Sequence, residues 1–294
     1  MKDQNFLPES KLLGKKVDNP KEYDPSILVA VPRELNRSIY DINDPDNLFT
    51  GCDIWHAWEF SLLTNKGLPV TGVLKIKYSS HSPDIVESKS LKLYLNSFNM
   101  EKFGDDPEAA VKIVLNIIQN DLSNLLKTEV EIRFFDKHTY SEADFSDYIQ
   151  LEKSEAIQNI EFTEYTENKH LLISSNEEGV QKVYSDLLRS NCKITNQPDW
   201  GSVFIYLKGK SMVNQESLLQ YIVSLRNENH FHEEICELLY KRLYDLLEPE
   251  EICITCIYTR RGGIDICPTR TNKTELLPEN LTNISELSTK LLRQ

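Results

Sequence analysis

The stretch Ser190-Asn191-Cys192-Lys193-Ile194-Thr195-Asn196-Gln197-Pro198-Asp199-Trp200-Gly201, followed by Val203-Phe204-Ile205-Tyr206-Leu207, decides the reading of the fold. Gln197-Pro198 signals a turn, because proline fixes its own φ and pushes the residue before it away from helix. The apolar run after it reads as a strand, so a hairpin is expected through Cys192 to Leu207 with its turn at Pro198. Such a hairpin carries a thiol and a carboxyl toward one reacting centre. A thiolate with a proton donor is the minimum equipment for covalent attack on an electrophilic carbon. The same cysteine also fits a small buried apolar residue, the usual place of a free thiol.

Downstream of the hairpin, Gln215 to Arg226 (Leu218, Leu219, Ile222, Leu225) and His232 to Leu247 (Ile235, Leu238, Leu239, Tyr244, Leu247) repeat apolar residues at helical spacing. Strands at Ile252–Tyr258 and Ile264–Ile266 follow, separated by Arg260-Arg261-Gly262-Gly263. Upstream, the same order is legible. A hairpin spans Asp53 to Thr64 and Pro69 to Tyr78 about a Lys66-Gly67 turn. A short helix at Glu87–Phe98 comes next. Asp105-Asp106-Pro107 then caps a second helix, Glu108–Leu126, bearing Val111, Val114, Ile118, Leu122 and Leu125, before a strand at Val130–Phe134. The chain therefore reads as α+β, two tandem copies of one β-β-α-α-β(-β) unit.

Residues 1–50, with Pro8, Pro20, Pro25, Pro32 and Pro45, read as an extended N-terminal arm that can wrap on the body, with one short strand at Ile27–Val31. The first module is expected over 51–140 and the second over 171–294. Between them, 141–170 reads as an acidic linker with little core of its own, its eight acidic side chains up to residue 168 opposed only by Lys153.

Across 294 residues, 33 basic side chains stand against 46 acidic ones, a formal charge of −13. That balance argues against nucleic acid or an anionic membrane as a direct partner, while leaving room for a local basic site for a small phosphorylated ligand. No apolar run approaches the roughly 20 residues that span a bilayer. Met1 to Ser10 lacks the pattern of a signal peptide. The six cysteines read as reduced cytosolic thiols. Cys253 and Cys256 form a C-x-x-C inside a strand, on opposite faces, and Cys52, Cys236 and Cys267 have no ligand-like spacing, so no metal is expected.

Three further clusters carry polar chemistry. Glu87-Ser88-Lys89-Ser90-Leu91-Lys92 opens a helix, where free N–H groups and two lysines on one face suit a phosphate, although these residues taken alone favour a capped, solvated helix start. Phe231-His232-Glu233 heads another helix, with a carboxylate able to accept two N–H donors from a guanine-like edge. Tyr258-Thr259-Arg260-Arg261-Gly262-Gly263 sets two guanidiniums beside a flexible turn. No Gly-x-Gly-x-x-Gly follows a strand, so a nicotinamide cofactor would not sit on a Rossmann unit.

In this order, and with Cys192…Gln197-Pro198-Asp199-Trp200, these motifs resemble the NADPH-dependent 7-cyano-7-deazaguanine reductases, the nitrile reductases of queuosine biosynthesis, in their two-module form. The resemblance runs from about Leu13 to Arg270 and is looser at His56, Trp58, Asn196, Glu234, Cys267 and Thr269. It implies two tandem tunnelling-fold modules and a cytoplasmic homodimer or higher homo-oligomer. It also implies reduction of 7-cyano-7-deazaguanine to the aminomethyl product with two NADPH. Carried over residue by residue, Cys192 is the nucleophile that forms a thioimide, and Asp199 the proton donor with His232. Val86, Glu87, Ser88, His232 and Glu233 bind the substrate. Ser88, Lys89, Arg261 and Gly262 bind NADPH, with Lys92 and Arg260 as helpers. The site is thus expected to draw on both halves. A cysteine-dependent hydrolase or transferase without redox, and a non-catalytic nucleobase-binding scaffold, are the competing readings.

Overall fold

The computed structural model describes residues 20, 22–137, 139, 141, 144–289 and 291–294. Most of the expected arm's first half, including Met1 to Ser10 and the start of the resemblance at Leu13, lies outside the described residues. Within them, β1 (Ala30–Pro32), α1 (Glu34–Arg37) and α2 (Pro45–Leu48) precede the first unit. That unit is β2 (Thr50–Leu63), β3 (Pro69–Ser79), β4 (Asp84–Val86), α3 (Ser88–Asn96), α4 (Pro107–Leu126) and β5 (Val130–Phe135). After β6 (Ile149–Gln150) comes the second unit: β7 (Gly179–Cys192), β8 (Pro198–Gly209), α5 (Gln215–Ser224), β9 (Asn229–His230), α6 (His232–Leu247), β10 (Glu251–Tyr258) and β11 (Ile264–Thr271). A short α7 (Glu279–Thr282) follows.

One sheet runs through both units in the order β5-β3-β2-β11-β10-β8-β7-β6. The units join where β2 and β11 pair antiparallel, from Thr50 opposite Thr271 to Ala57 opposite Ile264. Among these strands only the two-residue β6 and β9 pair parallel, both with β7. Side-chain alternation along each strand assigns the two faces. On β8, Val203, Ile205 and Leu207 pack with Leu218 and Ile222 of α5 and Ile235 and Leu239 of α6. On β2 and β3, Trp55, Ala57, Leu74 and Ile76 pack with Tyr94 of α3 and Val114 and Ile118 of α4. The buried stripe of α4 is Ala110, Val114, Ile118, Leu122 and Leu126, so Val111 and Leu125 flank it rather than form it. Four helices on one face of an antiparallel sheet, in two repeated units, is the α+β tandem tunnelling-fold arrangement.

The other face is covered by Leu281 and by Phe145 and Tyr148, from the stretch expected to lack a core. Phe145 stacks on Phe204 with ring centroids 4.0 Å apart. The hairpin also differs from expectation. Its turn is Lys193–Gln197, closed by Cys192 N–H donating to the Gln197 carbonyl at 2.8 Å, and Pro198 begins β8. Asn196 supplies the left-handed residue at φ 54°, and proline is tolerated at a first strand position, where its missing N–H breaks no ladder.

Residues 22–50 lie against the body and are held there by Arg33 and Arg37. Arg33 Nη2 donates to Asp53 Oδ2 at 2.5 Å and Arg270 Nη1 to Asp53 Oδ1 at 2.8 Å. Arg37 and Arg270 both donate to Glu237 Oε1 at 2.8 Å, and all five side chains are buried. Burial pushes the Glu237 carboxyl up, but Arg270, Arg37 and Arg33 outweigh it and hold it at about 2 against an ordinary 4.5. A depressed carboxylate stabilises the fold fully above its unfolded value and loses that contribution as pH falls toward the folded one. Stability should therefore drop by on the order of 3 kcal/mol between about pH 4.5 and 2. Glu237→Gln should remove this acid-side loss while costing about 3–5 kcal/mol near neutrality, because three guanidiniums lose a buried counterion. Urea unfolding of both proteins across pH checks this.

Candidate active site

A cavity of about 260 Å³ is lined by both units. Trp55, Val86, Ser88, Lys89 and Lys92 come from the first, and Cys192, Asp199, His230, His232, Glu233, Arg261 and Gly262 from the second. Cys192 is the last residue of β7, opposite His230 of β9, which holds the thiol at the strand end where the tight turn begins. Of the six cysteines, Cys192 alone is part-exposed, and the other five are buried. Burial pushes the Cys52 and Cys253 thiols up to about 12, so they are poor sources of thiolate.

Asp199 is the second residue of β8 and 4% exposed. Its carboxylate accepts a hydrogen bond from Arg261 Nη1, and His232 Nε2 lies 3.4 Å from its other oxygen. Burial works against ionisation of Asp199. His232 and Arg261 outweigh that and hold the carboxyl below its usual range, so it rests as the anion. The His232 ring is stacked on Tyr258 at 3.7 Å and 6°. Gly201, paired with Tyr258 across the ladder, makes room for this: a Cβ there would meet the Tyr258 ring at 3.1 Å. Among the described residues His232 Nδ1 is buried with no hydrogen-bond partner.

Glu233 and Glu237 lie one turn apart on α6, yet their carboxyls behave oppositely. Burial, reinforced by Asp53, pushes Glu233 up to about 8; Arg33 and Arg270 pull the other way but are committed to Asp53 and Glu237. Its Oε1 is buried and unpartnered among the described residues. A carboxyl of this kind, at a cavity wall, suits a ligand that brings its own N–H donors.

At α3 the structure departs from an open anion site. Glu87 is the N-cap: Lys89 N–H donates to its Oε1 at 2.8 Å and Ser90 N–H to its Oε2 at 2.7 Å. The helix-start donors expected to meet a phosphate are used by Glu87, which is 1% exposed and does not itself line the cavity. The side chains of Lys89 and Lys92 line the cavity beside it. A Cβ on Gly262 would come within 2.0 Å of Lys92 Nζ, the flexible end of a long side chain, and it is the backbone φ of 58° that favours glycine there. Arg260 lies over Trp58, 4.2 Å from the ring centroid, and does not line the cavity.

Residues 19–134 match the family model described as "Nitrile reductase, 7-cyano-7-deazaguanine-reductase N-term", and residues 198–276 the one described as "QueF-like protein". A curated protein from Legionella pneumophila (strain Lens), "NADPH-dependent 7-cyano-7-deazaguanine reductase", is 39% identical over 273 residues, 92% of each chain. The chain belongs to this reductase family. A solved structure, "Crystal structure of the archaeosine synthase QueF-Like in the apo form", aligns at a TM-score of 0.28 and 16% identity. It covers 34% of this chain and 92% of that one, a likeness too low to carry an argument.

Within this family member, sequence reading missed His230, Trp55 and Thr195 as cavity residues and Tyr258 as the surface under His232. Nothing in the one-letter pattern marks Tyr258: it is an ordinary aromatic in a buried strand, and only the ladder opposite Gly201 reveals its role. His230 is held by Tyr40 O–H at 2.8 Å and Glu234 at 3.0 Å, partners far apart or on the next turn.

The raised Glu233 makes a second stability prediction of opposite sense. The folded empty protein keeps this proton to about 8, whereas the unfolded chain releases it near 4.5. Folding stability should thus fall as pH rises between those values, by on the order of a few kcal/mol. Glu233→Gln should flatten the decline, as read from denaturant midpoints at about pH 5 and pH 8.5. An unchanged slope would place the proton elsewhere.

Proposed function

We propose that this chain reduces the nitrile of 7-cyano-7-deazaguanine to a primary amine, consuming two NADPH through a covalent thioimide on Cys192. The observation that carries the reading is the one accessible thiol of the chain ending in a cavity that also holds an Asp199–His232 pair and an unpartnered buried Glu233. In this reading Glu233 accepts the N–H pair on the pyrimidine edge, His232 offers Nδ1, and Val86 and Ser88 line the same cavity. Glu87 serves the substrate by fixing the backbone of Lys89 and Ser90 at the start of α3.

The Cys192 sulfur adds to the nitrile carbon, one π bond of the nitrile breaks, and its nitrogen takes a proton. Because Asp199 rests as the anion, that proton originates on the thiol: Asp199 receives it and hands it to nitrogen, with His232 sharing the load. NADPH, when bound, supplies the hydride in each of two rounds. After the first, the C–S bond breaks, Cys192 is regenerated, and the remaining imine takes the second hydride and a proton. Lys89, Lys92 and Arg261 give the cofactor's phosphates a cationic wall in a chain that is otherwise acidic, and Gly262 lets the backbone approach.

The division of labour between 51–140 and 171–294 belongs to the same proposal, with Lys89 and Ser88 on the first and the nucleophile on the second. So does a cytoplasmic homodimer or higher homo-oligomer: Ile149 on the outermost strand β6 is 64% exposed, an open sheet edge that a second copy can extend. No helix among the described residues is long and apolar enough to cross a membrane.

Mixing the protein with the nitrile in the absence of NADPH and weighing the intact chain tests the reading. One adduct, mapped to Cys192, is the expected result. Cys192→Ala should bind the nitrile yet form no adduct and turn nothing over. Cys192→Ser should lose nearly all activity, because a hydroxyl is a far weaker nucleophile at neutral pH. An adduct on another cysteine, or turnover without NADPH, would exclude the mechanism.

A further inference from the structure

Arg261 has two roles to fill in the proposed reaction. It belongs to the cationic wall for the cofactor, yet in the structure its guanidinium is turned onto the catalytic hairpin. Nη1 donates to Asp199, and Nη2 donates to Gln197 Oε1 at 2.5 Å. A guanidinium spread over a carboxylate and an amide has few donors left for a phosphate. Its backbone is not what would move. Arg261 N–H donates to the Ile264 carbonyl at 2.9 Å and Ile264 N–H to the Arg261 carbonyl at 3.3 Å, across Gly262 and Gly263 at φ 58° and 78°. Positive φ at both central residues is the tight two-residue turn that suits twisted strands, so the Cα of Arg261 is fixed. The side chain, 38% exposed, is free to swing on its own torsions.

We infer that Arg261 is a positioning residue for Asp199 as well as a cofactor contact: it holds the carboxylate while no cofactor is present and releases it when a phosphate takes the guanidinium. The inference rests on the proposed reduction. Its chemical sense lies in the order of events. Adduct formation needs Asp199 as an anion to take the thiol proton. The reductive rounds need an acid that delivers protons to nitrogen. Losing Arg261 at the moment the cofactor arrives leaves Asp199 buried with His232 as its remaining close partner, which favours the protonated form. The other groups that face Asp199 are Arg189 of β7 and Tyr258 of β10. Arg189 is tied to the Arg226 carbonyl and lies over Trp200. Neither belongs to the cavity lining, so a cofactor there leaves both in place.

The rate of Cys192 adduct formation with 7-cyano-7-deazaguanine, without reductant, reads this link on the full chain. Intact mass would follow it over about pH 4.5 to 8, with and without saturating NADP⁺. Its acid limb reports loss of the Asp199 anion. Wild type alone should stay flat to the lowest pH, and NADP⁺ should bring the limb up by about 1–2 pH units, the size of one close charge. Arg261→Gln should show the raised limb without NADP⁺, and NADP⁺ should move it no further. A limb that NADP⁺ leaves unmoved in wild type, or moves equally in Arg261→Gln, overturns the link while leaving the reduction intact. No adduct at any pH overturns the reduction, and the link with it. Calorimetry gives an independent reading: NADP⁺ binding near pH 5 should take up protons in wild type and not in Asp199→Asn. A purely structural Arg261 would give the same proton count in both.

Discussion

The buried charges around Arg270 are the constraint on which the rest of the molecule depends. Arg270 sits at 0% exposure on β11, the strand that joins the two units, and a guanidinium there is tolerable only if carboxylates follow it inward. Asp53 comes from β2 of the first unit, Glu237 from α6 of the second, and Arg33 and Arg37 from the segment before both. Pairs of this kind add little net stability over apolar packing, but breaking one strands a charge. The cluster therefore acts as a registration device. It admits only the arrangement in which β2, β11, α6 and residues 33–37 meet, and that arrangement sets the cavity walls.

The same cluster explains how one helix carries two carboxyls of opposite character. Glu237 faces the guanidiniums, whereas Glu233, one turn nearer the helix start, faces Asp53 and the cavity. Pairs of titratable groups whose surroundings drive them apart mark sites where protons are managed. Here the separation comes from position along α6: at Glu233 burial and Asp53 outweigh the pull of Arg33 and Arg270, whereas at Glu237 the arginines prevail.

Much of this was legible in the sequence because it is written in periodicity. The stripes of α4, α5 and α6, the strands β2, β3 and β10, and the order of the two units follow from spacing alone. The failures are equally physical. β7 runs from Gly179, but Gln181, Lys182, Asp186 and Arg189 blur its alternation, and a bulge between Ser185 and Leu188 shifts the phase midway. β11 reads as a strand only to Ile266, since Pro268 and Arg270 argue against a central strand. The carboxylates that draw Arg270 into the sheet come from distant parts of the chain and leave no local trace. How the N-terminal segment is held was hidden for the same reason, as Arg33 and Arg37 look solvated until Asp53 and Glu237 are placed beside them.

For the site, residue identity was readable and commitment was not. Glu87, Asp199 and Arg261 all line up with their motifs, yet the sequence does not say that Glu87 uses its oxygens on Lys89 and Ser90, or that Arg261 is turned onto Asp199. Each of these contacts is made between charged or capping groups that have more than one possible partner. The choice among partners depends on burial. Glu87, the buried N-cap of α3, satisfies itself locally, whereas the Arg261 side chain is part-exposed at the cavity. In the proposed reaction, the difference separates a residue that builds the wall from one that changes partner during turnover. It also accounts for the glycines: Gly201 and Gly262 hold no chemistry, but a Cβ on the first would press on the Tyr258 ring beneath His232, and one on the second would displace Lys92.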